Sequence, residues 1–316
     1  MATVCMVGES PALQALLRSA RLVAATDATT LILGESGTGK ELLARLVHQE
    51  SRRANGPFVA VNCAALPSDL VESELFGYRR GAFTGAHADK PGRVRQADGG
   101  TLFLDEVAEL PMTAQGKLLR FLEDGECQAL GSARASGVDV RVVAATNQDL
   151  RNRVEVGGFR ADLYYRLHVI PLELPPLRER EGDVPLLVQR FLAQLSARHG
   201  VSPPVLTRAL QQRLSQHCWP GNVRELRNLV ERCVVLFHGR TVGPDDVPSD
   251  WLQPVSGEAD TGGWCLPPEG VCLETMEAEL IAQALDRTGG NRSRAARLLG
   301  LTRDTFLYRM KKHAIG

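Results

Sequence analysis

No apolar run in this 316-residue chain approaches the roughly 18 residues that would span a bilayer. Residues 1–8 lack the basic segment and apolar core of an export signal, so secretion is not expected. Cysteine is sparse and without a pairing pattern: Cys5, Cys63, Cys127, Cys218, Cys233, Cys265 and Cys272 are odd in number and contain no Cys-x-x-Cys. That argues against a disulfide framework, fits a reducing cytoplasm, and leaves the thiols as small apolar fillers rather than metal or redox groups. Net charge is missing as well, with 37 Lys and Arg against 37 Asp and Glu, but the balance hides a segregation. Residues 289–316 carry seven Lys or Arg against the single acid Asp304, a local +6, so residues 1–288 carry −6. Only the C-terminal end therefore has the character of a polyanion-binding surface.

What is present is ordinary globular composition, 44% hydrophobic and 23% charged, in a length that holds roughly two domains. The chain is organised around Gly34-Glu35-Ser36-Gly37-Thr38-Gly39-Lys40, which follows the apolar run Leu31-Ile32-Leu33 and precedes a helix-like segment over residues 41–50. Three glycines between a buried strand and a helix let backbone N–H groups point at an anion. The helix N-terminus adds its dipole and Lys40 a point charge, which makes a phosphate-binding loop; the alternative is a glycine-rich turn that binds nothing. Glu41 stands where a Ser or Thr ordinarily ligates Mg²⁺, so that ion must be held mainly by another residue and by water.

Residues 57–62 read as a second buried strand, with Asn62 at its polar end either entering a site at the sheet's carboxyl edge or making a strand-end turn. The run Thr101-Leu102-Phe103-Leu104 ends in Asp105-Glu106. Nucleotide hydrolysis needs such a pair, one carboxylate to hold Mg²⁺ and one to orient the attacking water, although the same pair can cap a following helix. Residues 140–145 form another central strand ending in Thr146-Asn147, where Asn147 either senses a terminal phosphate or makes a turn. Strands alternating with helices predict an α/β fold, a parallel sheet covered on both faces, over residues 1–177. The Pro-rich run 171–177 closes it, helical spacing over 184–199, 207–217 and 223–237 predicts a small helical lid at 178–242, and residues 243–270 have no period and read as a linker.

In the last part, residues 271–316, a helix over 273–285 precedes a short helix at 293–299, a turn at Gly300-Leu301 and a basic helix from Thr302, which can cap it. That is a helix-turn-helix, or else a solvated helical hairpin, against which the concentrated positive charge counts. The second helix would enter the major groove, making Arg303, Asp304, Thr305 and Tyr308 candidates for base or phosphate contact. Arg309, Lys311 and Lys312 would lie on the DNA backbone.

Between the first strands lies Glu74-Leu75-Phe76-Gly77 followed by Gly81-Ala82-Phe83-Thr84-Gly85-Ala86, which by composition alone is a flexible turn with Phe83 as a core anchor. With these residues included, the chain resembles the bacterial enhancer-binding activators of sigma-54 RNA polymerase, a family of AAA+ ATPases, from Val7-Gly8-Glu9-Ser10 to the C-terminus. The resemblance implies that the Gly81–Ala86 loop projects from a ring and touches the sigma factor. It implies that Gly34 to Lys40 with Glu41 are the Walker A motif for ATP, that Asp105 and Glu106 are Walker B, with Asp105 on Mg²⁺, and that Asn62 is the switch partner of Glu106. Thr146 and Asn147 correspond to sensor I, and Arg224 in Trp219-Pro220-Gly221-Asn222-Val223-Arg224-Glu225-Leu226 to sensor II. Arg160 and Arg166, unremarkable surface arginines otherwise, correspond to arginine fingers that reach the γ-phosphate of the neighbouring subunit, and the C-terminal region is similar to a Fis-type helix-turn-helix. The partners implied are the sigma-54 polymerase holoenzyme, double-stranded enhancer DNA and further copies of the chain, from a dimer to a hexameric ring. Most members carry an N-terminal receiver or sensor domain, whereas Met1 lies a few residues before the ATPase module here. A separate regulatory protein, control by abundance, or truncation is the corresponding expectation. A regulator of sigma-70 promoters that keeps the fold, or a general AAA+ motor such as a replication initiator or chelatase subunit, is disfavoured by the intact Gly81–Ala86 loop.

Overall fold

The computed structural model describes residues 6–82, 86–248, 251 and 273–313. Phe83, Thr84 and Gly85 of the expected contact loop, Cys5, Cys265, Cys272 and most of the expected linker lie outside the described residues.

Leu31, Ile32, Leu102, Phe103, Leu104 and Val142 to Ala145 are all buried, at successive positions rather than alternate ones, so the sheet that contains them needs cover on both faces. Its strands are β1 (Thr30–Leu33), β2 (Phe58–Asn62), β3 (Thr101–Asp105), β4 (Arg141–Thr146) and β5 (Ile170–Glu173). All pairings are parallel, and the order across the sheet is β2-β3-β4-β1-β5. On one face Leu13, Leu17, Leu43 and Val47 from helices Pro11–Ala24 and Lys40–Gln49 pack with Ile32, Phe103 and Val143. On the other, Leu75, Leu118 and Leu163 from helices Val71–Phe76, Met112–Asp124 and Ala161–Leu167 pack with Leu31, Leu102 and Leu104. The chain is thus an α/β protein, as the alternation of elements predicts.

Strand β5 was not expected, because its segment reads as the start of a Pro-rich run. Pro171 has no N–H to give a ladder, and it is accommodated because β5 is an edge strand with β1 on one side only. The register sets Asn62 opposite Asp105 and Leu33 opposite Thr146, so three strand tips and the loop after β1 meet at one carboxyl edge. The described residues that flank the segment expected as a flexible turn are tied together: Gly77–Tyr78 pairs antiparallel with Lys90–Pro91, and the Gly81 N–H donates to the Ala86 carbonyl at 2.9 Å.

The lid consists of helices Asp183–His199, Arg208–Gln216 and Asn222–Leu236 around a wholly buried Trp219, whose indole N–H donates to the Leu214 carbonyl at 2.9 Å. Val242 and Val247 are buried in the same core and Trp251 packs beside Phe237, so packing continues past residue 242 into the segment expected as linker. Truncating the indole removes the largest fully buried side chain here. Trp219→Ala is expected to lower unfolding free energy by about 3–5 kcal/mol, read from the denaturant midpoint at unchanged slope; a loss under ~1 kcal/mol would show that the lid collapses around the gap.

The chain divides into two units, Met1–Pro254 and Val255–Gly316. The second packs helices Leu273–Arg287, Arg292–Leu298 and Arg303–Lys312 around Ile281, Ala284, Ala295, Phe306 and Met310. Asn291 caps the middle helix, and Thr302 caps the last by accepting the Thr305 N–H at 3.3 Å, as the sequence predicts. No helix among the described residues is long and apolar enough to cross a membrane.

Candidate functional site

The loop Gly34–Gly39 carries the chain from β1 into helix Lys40–Gln49, and the lysine that opens the helix is almost entirely buried. Its Nζ donates to the Gly34 carbonyl at 3.0 Å, which closes the loop, and to Glu106 Oε1 at 3.1 Å. Glu106 reaches that position because its backbone turns left-handed (φ 51°) immediately past β3, a conformation unusual for a non-glycine residue and often found where function over-determines geometry. Its other oxygen accepts the Asn147 N–H at 3.1 Å, so one carboxylate joins the loop lysine to the tip of β4.

Beside it, Asp105 Oδ1 is buried and has no hydrogen-bond partner among the described residues. Burial, and then the neighbouring charge of Glu106, push the Asp105 carboxyl above its ordinary range. A buried, unpartnered carboxylate oxygen next to a phosphate-type loop fits a hard divalent cation such as Mg²⁺, which prefers oxygen donors. These groups line a cleft of about 550 Å³, within the usual size of a ligand pocket. Ser36, Gly37, Thr38, Gly39, Lys40 and Glu41 contribute from the loop and helix start, Met6 and Val7 from the N-terminal segment, and Leu187, Arg190, Phe191, Gln194, Val223, Arg224 and Arg227 from the lid.

The lid is wired to the loop. Gly37 has φ 79°, and a Cβ there would overlap the Gly221 carbonyl, so only glycine allows this approach. Arg224 donates its backbone N–H to the Gly37 carbonyl at 3.3 Å and its guanidinium to Ser36 Oγ at 3.0 Å. Glu35, expected to contact the nucleotide, faces the lid instead: Arg178 grips both its oxygens at 2.6 and 3.0 Å, and Asn222 Nδ2 donates to it at 3.0 Å. Arg178 is the main reason its carboxyl sits below the ordinary range. Asn222 is wholly buried at φ 53°, and its Oδ1 accepts the Leu177 N–H at 2.8 Å. Sequence reasoning missed Arg178 and Asn222 as site-building residues, since one lies in a charged run that reads as solvated and the other reads as a helix start.

Other expected site residues have partners of their own, within the cleft or outside it. Asn62 Oδ1 caps the short turn after β2 by accepting the Ala64 and Ala65 N–H groups at 3.0 and 3.2 Å, while Glu106 is held by Lys40 and Asn147. Thr146 Oγ1 accepts the Gln148 N–H at 3.0 Å, and Glu41 pairs with Arg45 at 2.7 Å. Arg160 and Arg166 do not line the cleft; Arg160 is paired with Asp162 at 2.7 Å, and Arg166 donates to the Leu122 carbonyl at 2.8 Å. On the last helix Arg303, Asp304, Tyr308, Lys311 and Lys312 are exposed, and Thr305 Oγ1 lies 2.7 Å from Thr302 Oγ1. Arg309, expected on the DNA backbone, is held by Glu277 of the first helix of its unit, whose other oxygen lies 3.0 Å from His313 Nε2.

The model of the sigma-54 interaction domain matches residues 6–173, more than half of the chain and all of the strands and tips just described. The chain belongs to the sigma-54-dependent transcriptional activators. The model of the AAA+ ATPase lid domain matches residues 178–262, and that of the Fis family of bacterial regulatory proteins residues 273–313. The transcriptional regulatory protein ZraR of Klebsiella oxytoca is 47% identical over 307 residues, covering 97% of this chain and 68% of that protein. The DNA-binding transcriptional regulator NtrC of Bradyrhizobium sp. (strain RP501 Parasponia) is 46% identical over 329 residues, covering 96% and 68%. Among solved structures, NtrX of Brucella abortus in complex with ATP aligns with a TM-score of 0.73 at 36% identity, covering 98% of this chain and 69% of that one. Its complex with ADP gives 0.72 at 37%, covering 99% and 70%. An AAA+ ATPase-type domain followed by a Fis-type DNA-binding helix-turn-helix is therefore the organisation of this activator-family chain.

Proposed function

We propose that the chain hydrolyses ATP in the cleft around Lys40 and uses the turnover to remodel the closed complex of sigma-54 RNA polymerase from an enhancer-bound position. The observation that carries this reading is the joint placement of Lys40, Glu106 and the unpartnered Asp105 oxygen at one sheet edge, on a chain whose β2–β3 connection holds the hairpin with Gly81-Ala82-Phe83-Thr84-Gly85-Ala86. Backbone N–H groups of Gly37, Thr38 and Gly39 and the Lys40 ammonium bind and orient the phosphates, as expected of a helix N-terminus behind a glycine-rich turn. Asp105 would hold Mg²⁺, which when bound neutralises charge on the phosphoryl oxygens. Glu106 orients the attacking water, and its hydrogen bonds to Lys40 and Asn147 keep its carboxylate aimed into the cleft. Asn147 then senses the terminal phosphate through the same carboxylate, and Asn62 exchanges its present cap for Glu106 when the site switches. Arg224 brings the lid onto the loop.

Arg160 and Arg166 act in trans, completing a neighbour's site in a ring of up to six copies; their place outside the cleft of their own chain supports that assignment. The proposed division of labour is an ATPase core at residues 1–177, a lid at 178–242 with its packed extension, a linker reaching residue 270 and a DNA-binding unit at 271–316. Arg303, Asp304, Thr305 and Tyr308 meet the major groove, with Lys311 and Lys312 on phosphates, and Arg309 joins them only by leaving Glu277.

Thr84→Ala tests the coupling. ATP hydrolysis is expected to stay within about threefold of the parent while sigma-54-dependent transcription is lost, because the loop transmits the work without touching the phosphates. A variant that still activates would remove the loop's role.

A further inference from the structure

The basic residues of the last helix, Arg303–Lys312, differ in what surrounds them. Arg303 and Lys311 stand exposed, whereas Arg309 is half-buried. Arg309 follows Phe306 by three residues and directly precedes Met310, both of which are buried, so it flanks the apolar face of the helix. Its long stem can therefore lie toward the neighbouring helix or toward solvent. A carboxylate decides between the two. Glu277, on the first helix of the same unit (Leu273–Arg287), accepts a hydrogen bond from Arg309 Nη1 at Oε1, and its Oε2 lies 3.0 Å from His313 Nε2. The hydrogen bond with His313, and then the charge of Arg309, hold the Glu277 carboxyl below its ordinary range.

For a helix that lies against DNA, this pairing changes which cations meet phosphate. A cation laid on a phosphate releases a counterion and adds affinity for any sequence, because the DNA backbone carries no base information. A cation already neutralised by a carboxylate of its own unit adds much less.

We infer that Glu277 is a specificity-determining residue of the DNA-binding unit: by holding Arg309 off the phosphates it lowers the sequence-independent part of DNA affinity and leaves discrimination to the exposed residues at the start of the last helix. This rests on the proposed docking of that helix in the major groove. It goes beyond it by assigning control of the affinity for any duplex to a residue outside the helix. A pair that only braced two helices would have the opposite effect, weaker binding once it is broken.

Binding of the full chain to a fluorescently labelled duplex of mixed sequence, followed by anisotropy without nucleotide from about 50 to 200 mM salt, makes the test. Glu277→Gln is expected to bind about three- to tenfold more tightly at the low-salt end, with the slope of log affinity against log salt steeper by about 0.9, the value for one phosphate. Arg309→Ala alone should leave affinity within about twofold of the parent, and adding it to Glu277→Gln should remove the gain. Glu279→Gln, which discharges an exposed position on the same helix as Glu277, controls for net charge and should leave the slope unchanged. Melting temperatures are recorded for each variant. If Glu277→Gln fails to fold, Arg309→Ala decides alone: an unchanged slope supports the inference, and a shallower one overturns it by placing Arg309 on a phosphate already. Weaker binding by a folded Glu277→Gln, a gain that persists without Arg309, or an equal gain from Glu279→Gln would overturn it too. A parent chain that binds no duplex at low salt would remove the DNA-binding reading, and the role of Glu277 with it.

Discussion

Lys40→Ala is expected to abolish ATP turnover, by at least about 10³-fold in phosphate release, with the fold intact. The lysine is nearly buried, and its ammonium holds both the Gly34 carbonyl and Glu106, so its loss acts twice. Charge stabilisation at the phosphates disappears, and a single such donor in a preorganised site is typically worth about 10²–10³ in rate. Glu106 also loses its counter-charge beside Asp105, leaving two neighbouring carboxylates with no cation between them, which weakens the binding of another anion. Glu106→Gln separates the contributions: it removes the water-orienting carboxylate but keeps the lysine for the phosphates, so nucleotide binding should persist while turnover is lost. Turnover by Lys40→Ala close to that of the parent would remove the catalytic assignment.

Mixing inactive variants gives the second large effect. Arg160→Ala or Arg166→Ala alone should cost about 10³–10⁵ in turnover if the guanidinium serves the neighbouring subunit's transition state. Both side chains are engaged within their own chain, Arg160 with Asp162 and Arg166 with the Leu122 carbonyl, so recruitment by a neighbour must break a surface contact. Solvent screens exposed contacts of this kind, so they are given up readily against what a trans finger returns. Combining Arg160→Ala with Glu106→Gln subunits should then restore partial turnover, since some interfaces receive an intact Glu106 from one chain and an intact Arg160 from the other. Mixtures as inactive as their components would place Arg160 outside the reaction.

The sheet was legible because its central strands carry consecutive apolar residues and end in polar ones with defined chemistry; those ends and the loop after β1 supplied the candidates Lys40, Asp105, Glu106 and Asn147. Strand β5 escaped because proline counts against a strand unless its edge position is known, which is a property of the whole sheet. The hairpin at Gly77–Tyr78 and Lys90–Pro91 escaped because two-residue strands carry no period. Glu35 was placed in the loop correctly but given the wrong neighbour: a carboxylate next to a phosphate site has to be neutralised, and the residue that does so, Arg178, is 143 positions away. Asp183 and Arg180 illustrate the same limit. In Arg178-Glu179-Arg180-Glu181-Gly182-Asp183 the charges alternate as on a solvated surface, and only the fold separates the exposed Glu179 and Glu181 from the buried Arg180 and Asp183. The Thr302 cap, by contrast, is local and was readable, because its partner lies three residues on.

The central claim is that ATP hydrolysis by this chain does work on sigma-54 polymerase. It is tested most directly by promoter opening, followed with permanganate footprinting, on a template that carries the chain's DNA site upstream of a sigma-54 promoter. With purified sigma-54 holoenzyme and the parent chain, opening is predicted with ATP and absent both with a non-hydrolysable analogue and with Lys40→Ala. Opening of equal extent with the analogue, or none with ATP under conditions where the chain turns nucleotide over, would contradict it.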